Sequence, residues 1–164
     1  MVLETLHLAI ITVTRENEAA RKELLQAIAG LDEASRTEGW YGDGEWSVKD
    51  ILVHLFEWQN GYAHALERIA RGERPEIPDY DPAAGDDTFN ALVVERNRDM
   101  DWDAVLAHLE AARVRHEAAV KNLIGRIKAE QFTEGRTARR MSDAASHDRE
   151  HMPAIAAWRR VRGV

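Results

Sequence analysis

The 164-residue chain has no cysteine. That excludes disulfides, thiolate metal sites and a cysteine nucleophile, so any thiol chemistry needs a thiol brought from outside. It also has no apolar run approaching the ~18–20 residues of a membrane span. The start, MVLETLHLAIITVTREN, has an acid at position 4 and no basic n-region, which reads as helix rather than signal peptide; a cytoplasmic protein is the expectation. There is no excess of basic charge. The net charge of −7 argues against a nucleic-acid partner, whose phosphates call for a basic footprint. Proline is scarce, and three of the four prolines (Pro75, Pro78 and Pro82) fall in one stretch, GERPEIPDYDPAAGDD, which cannot be regular helix. Period-2 alternation is missing too, so no strand is expected.

What remains is helical periodicity. Leu3, Leu6, Ile10, Val13, Ala20, Leu24 and Ile28 recur every three or four residues, one stripe of a first helix from Leu3 to Leu31, interrupted by Asn17. After a polar connection, Ser47 with Asp50 three residues on forms a capping box for a second helix reaching Arg71. Its stripe is Val48, Ile51, Leu55, Trp58, Tyr62, Leu66 and Ile69. A short helix is expected over Thr88–Arg98, and a third long one from Asp101 or Asp103 to Ile127. KAEQFTEGRTARR reads as a connection, and Ser142 as the cap of a last helix to Val161. Pro153 should kink or open that helix. Four long amphipathic helices and one short one predict an all-α fold, a four-helix bundle formed as a single domain over residues 1–164. The long connection from Gly72 to Asp87 leaves its wiring open.

Two of the seven histidines, His147 and His151, are four residues apart and project from one helix face. That is the spacing two imidazoles need to share a metal ion. They also lie in the apolar stripe Ala144, Ile155 and Trp158. Two inward histidines are costly to bury without partners, and a metal would satisfy both. His54, between Ile51 and Trp58 on the second helix, faces the bundle as well. Three imidazoles with one open position are a common catalytic metal set, although a lone inward histidine is more often a hydrogen-bonded core residue. His116 falls on the inward face of the third helix, as a fourth ligand, a supporting group or a core histidine. His7, His64 and His108 read as structural or surface residues. HDREH is not the zinc-protease HExxH: position 148 is Asp, and Glu150 lies beside the second histidine. Asp148 and Glu150 are expected to face solvent or to hydrogen-bond to neighbours. Trp58 and Trp158 are candidates for the wall of an apolar pocket.

WSVKDILVHLFEW followed much later by HDREHMPAIAAW resembles the DinB-like family of four-helix bundle proteins, and DDTFNALVVERNRDMDWDAVLAHLEAAR, with Asn90 at its short helix, is similar to that family's middle segment. The resemblance implies an up-down-down-up bundle, commonly dimeric. It also implies a divalent metal, nickel or zinc, on three histidines that carry over to His54, His147 and His151. Better-known relatives use a low-molecular-weight thiol such as mycothiol or bacillithiol for S-transfer or isomerisation; others hydrolyse small molecules or protect against toxins. No catalytic acid or base carries over. The expectation is a metal-dependent enzyme, a thiol S-transferase, isomerase or hydrolase of resistance or detoxification type. The alternative is a non-catalytic bundle that binds or sequesters a small molecule, with a structural metal or none.

Overall fold

The computed structural model describes residues 2–42, 45–128 and 130–164, with side chains from residue 7 onward. Leu3 and Leu6 of the first stripe therefore lie outside the described side chains. Four long helices dominate: α1 (Val2–Ile28), α3 (Val48–Ala70), α5 (Trp102–Asn122) and α7 (Gly135–Arg162). Between them come α2 (Glu33–Thr37), α4 (Asp86–Arg96) and α6 (Glu130–Thr133).

The starts follow the expected chemistry. Ser47 N–H donates to Asp50 Oδ2 at 2.9 Å and Asp50 N–H returns to Ser47 Oγ at 3.2 Å, a reciprocal box that satisfies two otherwise orphaned donors. Asp101, not Asp103, caps α5 by accepting from Ala104 N–H at 2.7 Å.

Side-chain pairs across the helices fix their directions. Along α3 and α5, Lys49 reaches the carbonyls of Arg98 and Met100, Phe56 stacks on His108, and Arg115 pairs with Glu67. Both sequence numbers rise together, so these two helices are parallel. Along α1 and α7, Arg21 meets Asp148 and Arg159 meets the carbonyls of Ala27 and Ala29, again in parallel. Ile28 packs with Val48 and Ile51 at one end, and Ile10 with Leu66 and Ala70 at the other, which makes α1 antiparallel to α3. The wiring is up-down-down-up, made possible by the long connection carrying α4 between the parallel α3 and α5.

Helix α3 is the central element. Ile51, Leu52, Val53, Leu55 and Phe56 are all buried, so it is covered on nearly every side. Its outer flank is closed by α4 and the proline-rich segment, where Trp58 packs against Phe89 and Val93.

Four expectations change. Helix α7 begins at Gly135 rather than at a Ser142 cap: the Ser142 hydroxyl bonds back to the carbonyls of Ala138 and Arg139, inside the helix. The stretch read as a connection holds α6 and two turns of α7, because Phe132 and Met141 bury against α3 and α5. Gly135, at φ +79°, makes the reversal between α6 and α7 that a side chain would strain. Likewise α2 lies inside the first polar connection, capped by Asp32. Finally, α7 runs through Pro153 without a break; the proline is on its exposed side, where solvent can serve the carbonyl it leaves free.

Candidate metal centre

Helix α3 brings His54 to the face of α7 that carries His147 and His151. One ligand-capable nitrogen from each of the three lies within 4.8 Å of the others. His54 Nε2 is 2.7 Å from His147 Nε2, and the ring centroids of the three pairs are 4.5–5.2 Å apart. Without a cation, one of the two facing Nε2 atoms must donate its proton to the other. A single shared proton cannot satisfy three imidazoles, and Nδ1 of both His54 and His151 is buried with no hydrogen-bond partner.

The electrostatics favour neutral rings. Burial, reinforced by His147 and His151 and opposed by the Asn90 side chain, pushes His54 down to about 2. Burial and His151 push His147 down to about 4, and burial lowers His151, against Glu150. Neutral imidazole is the form that ligates. An all-nitrogen donor set without a carboxylate suits a borderline-soft divalent ion such as zinc or nickel better than magnesium or calcium, which want oxygen. The three residues therefore fit a metal-binding site.

The surroundings hold the rings in place. Trp46 lies 5.2 Å from His54, and Tyr41 meets His151 edge-on at 5.5 Å. Both come from the segment leading into α3, where Tyr41 and Trp46 pair backbone to backbone. On the other side, Trp58 Nε1–H donates to Asn90 Oδ1 at 2.8 Å, tying α4 to α3. Beneath the pair on α7, Asp148 is buried and accepts from Arg21 Nε at 2.8 Å. Arg21, itself buried, also donates to Gln59 Oε1 and to the carbonyl of Leu109. This network joins α1, α3, α5 and α7 one residue from His147.

The triad opens onto a cleft of about 1160 Å³ between α3, α4 and α7. Trp46, Trp58, Tyr41 and Tyr62 line it, with Asn90 and Glu150. Trp158 does not: it stacks on Trp40 at 5.0 Å at the end of the bundle, a full two turns from His151. Of the two flanking acids, Glu150 faces the cleft and solvent, while Asp148 takes the other course and bonds to a neighbour in the core.

His116 is apart from the triad. Its Nε2–H donates to the carbonyl of Arg140 at 2.8 Å, and Nδ1 accepts from Asn17 Nδ2 at 3.4 Å. Both nitrogens are used, burial lowers its pKa, and the neutral Nε2–H tautomer follows. It is a satisfied core histidine. His64 sits near Glu76, and His108 stacks on Phe56, both away from the cleft.

Sequence reasoning missed Tyr41 and Arg21. The signal for Tyr41 was the paired aromatics Trp40–Tyr41 facing Trp46 across a glycine-containing turn. For Arg21 it was a second polar residue four after Asn17, on the same inward face of α1.

No curated protein and no solved structure matches the chain. The family model of the DinB superfamily does, over residues 16–158, a span that holds His54, His147 and His151, the whole of α3 and α5, the second half of α1 and most of α7. With most of its length matched and the bundle built as that resemblance implied, the chain belongs to the DinB superfamily.

Proposed function

We propose that this protein is a metal-dependent enzyme acting on a small molecule, with His54, His147 and His151 as the protein ligands of one divalent ion, nickel or zinc. The observation that carries the reading is the convergence of three imidazoles, each with a ligand-capable nitrogen within 4.8 Å of the others, on an open cleft. A cation there would act as a Lewis acid and lower the pKa of a water molecule or thiol taken up at a remaining coordination position.

The chain's own residues supply the rest. Trp46 and Tyr41 pack against the rings of His54 and His151 from the cleft wall. Trp58 and Asn90 hold α4 against α3, which keeps the cleft wall in place. Arg21 and Asp148 lock the turn of α7 that bears His147.

Absence of cysteine supports the version in which the nucleophilic sulfur arrives as a low-molecular-weight thiol of the mycothiol or bacillithiol kind, for S-transfer or isomerisation. The hydrolase version uses water in the same position. Against a purely structural metal in a binding or sequestering bundle stands the ligand set. Among the described residues no fourth histidine or carboxylate joins the group, and His116 is committed elsewhere. Association of two copies belongs to the same proposal; Leu8, Ile11 and Leu25, exposed along α1, support it, and light scattering reads the mass.

Elemental analysis of tag-free protein is the test. One nickel or zinc per chain, lost in His151→Ala, is the expected result. No metal in either protein would move the reading to a metal-free binding bundle.

A further inference from the structure

Three arginines on the first turns of α7, Arg136, Arg139 and Arg140, line the same cleft as the histidines. Arg149 pairs with Glu16 and Glu23, Arg159 with backbone carbonyls and Arg162 with Glu38, while Arg160 is exposed. Among the described residues no carboxylate forms an ion pair with any of the three cleft arginines. Arg136, in the first turn of α7, opposes the macrodipole beside the acidic N-cap Glu134, while Arg139 and Arg140 lie beyond that turn. Arg140 is also half-buried, and burial together with neighbouring Arg136 disfavours its charged form, against Tyr62 and Asp143. Arg136 and Arg139 are exposed; Arg140 alone is held partly out of water, eased by Asp143 but, among the described residues, without an ion pair of its own.

Spacing ties the cluster to the triad. Arg136, Arg140, Asp143, His147 and His151 follow one another at intervals of four, three, four and four, one continuous stripe on α7. Seven residues separate Arg140 from His147, so the two are about 10 Å apart along the helix. Guanidinium groups are suited to carboxylate and phosphate oxygens, which they bind in bidentate fashion. The cleft also carries five carboxylates, Glu45, Asp86, Asp87, Asp143 and Glu150, and among the described residues none is ion-paired with the three arginines. Asp86 and Asp87 begin α4 on the facing wall, where Asp86 accepts from the Tyr80 hydroxyl, and Asp143 is a turn away toward the triad.

We propose that Arg136, Arg139 and Arg140 form an oxyanion-binding subsite, and that the small molecule used by this protein carries a carboxylate or phosphate about 10 Å from the group that reaches the three histidines. The subsite deepens the metal-dependent reading and, in that linkage, rests on it.

Calorimetric titration with succinate, inorganic phosphate and acetate tests it, on metal-loaded and on chelator-treated protein. The expected result is saturable binding of succinate or phosphate at one site per chain, weakened about tenfold or more in Arg140→Gln and retained in His147→Ala. Tighter succinate assigns a carboxylate ligand, and tighter phosphate a phosphate ester. Arg140→Gln should keep its metal content and, without anion, melt no lower than wild type, because a desolvated cation has been removed. If that variant does not fold, the double variant Arg136→Gln/Arg139→Gln carries the same expectation. Lack of saturable binding by either anion at millimolar concentration overturns the subsite. So does anion binding lost in His147→Ala but kept in Arg140→Gln, which places the anion on the metal. Arginine-dependent binding in a protein that takes up no metal leaves the subsite standing and removes the metal-dependent reading instead.

Discussion

Removal of the Asp148 carboxylate should be among the most damaging single changes in this protein. Arg21 and Asp148 have side chains only 4% and 5% exposed, 2.8 Å apart at Nε and Oδ2. Burial pushes the Asp148 carboxyl up in spite of Arg21, so desolvation offsets much of the attraction between them. Such a pair contributes little relative to an apolar core, yet breaking it leaves a charge stranded. In Asp148→Ala the guanidinium keeps Gln59 Oε1 and the Leu109 carbonyl but loses its counter-ion, at a cost of about 3–5 kcal/mol. Against a total stability of about 5–15 kcal/mol that is a large fraction. The double variant Arg21→Met/Asp148→Leu removes both charges; although Gln59 and the Leu109 carbonyl each lose a donor, it should regain about 2 kcal/mol relative to Asp148→Ala. Urea denaturation of metal-free protein at pH 7, followed by circular dichroism, measures all three. A loss below about 1 kcal/mol in Asp148→Ala, or a double variant no more stable than the single, would refute the reasoning.

His116 sets a pH dependence. Its folded pKa lies below the ordinary 6.5, chiefly through burial, so the unfolded chain binds the extra proton first. Its contribution is whole above pH 6.5 and is lost as pH falls below that value. His116→Gln should flatten the stability profile below pH 6.5 by up to about 1.4 kcal/mol per pH unit, read by urea denaturation at several pH values. Gly61 has no room for a side chain: a Cβ there would meet Ile77 Cγ2 at 2.6 Å. Gly61→Ala should gain about 1 kcal/mol of helix propensity and lose about 1–3 kcal/mol to overpacking, a net loss on melting, with faster proteolysis of the 72–85 segment. Zinc or nickel at about a hundredfold its dissociation constant should stabilise the wild type by about 2.7 kcal/mol, a rise of about 5–10 °C in melting temperature, with none in His147→Ala.

The bundle was legible because its long helices repeat apolar residues with a period near 3.6 and start on recognisable caps. Ser47 with Asp50 is a purely local device, and it formed as read. The start of α7 was not legible, since its reason lies outside the segment. RTARRM looks like a polar linker until Met141 is seen buried against α3 and α5. The same holds for α2 and α6, single-turn helices that tertiary packing stabilises where propensity alone would not. For the site, His147 and His151 announced themselves by spacing on one helix. His54 could be paired with them only through the apolar stripe of α3 and the family resemblance, because no local rule states which helix faces which. Tyr41 and Trp46 come from an irregular segment whose path is set by one backbone pairing, and Arg21 is a charged residue buried beside the apolar stripe of α1. A buried ion pair is invisible to a reading that places charges outside.

X-ray absorption at the metal edge of zinc- or nickel-loaded protein tests the central claim most directly. The account predicts three imidazole nitrogens at about 2.0–2.1 Å and at least one further light atom, replaced by sulfur when an excess of a small thiol is added. A shell closed by a fourth protein ligand, unchanged by thiol, or one dominated by carboxylate oxygen would contradict it.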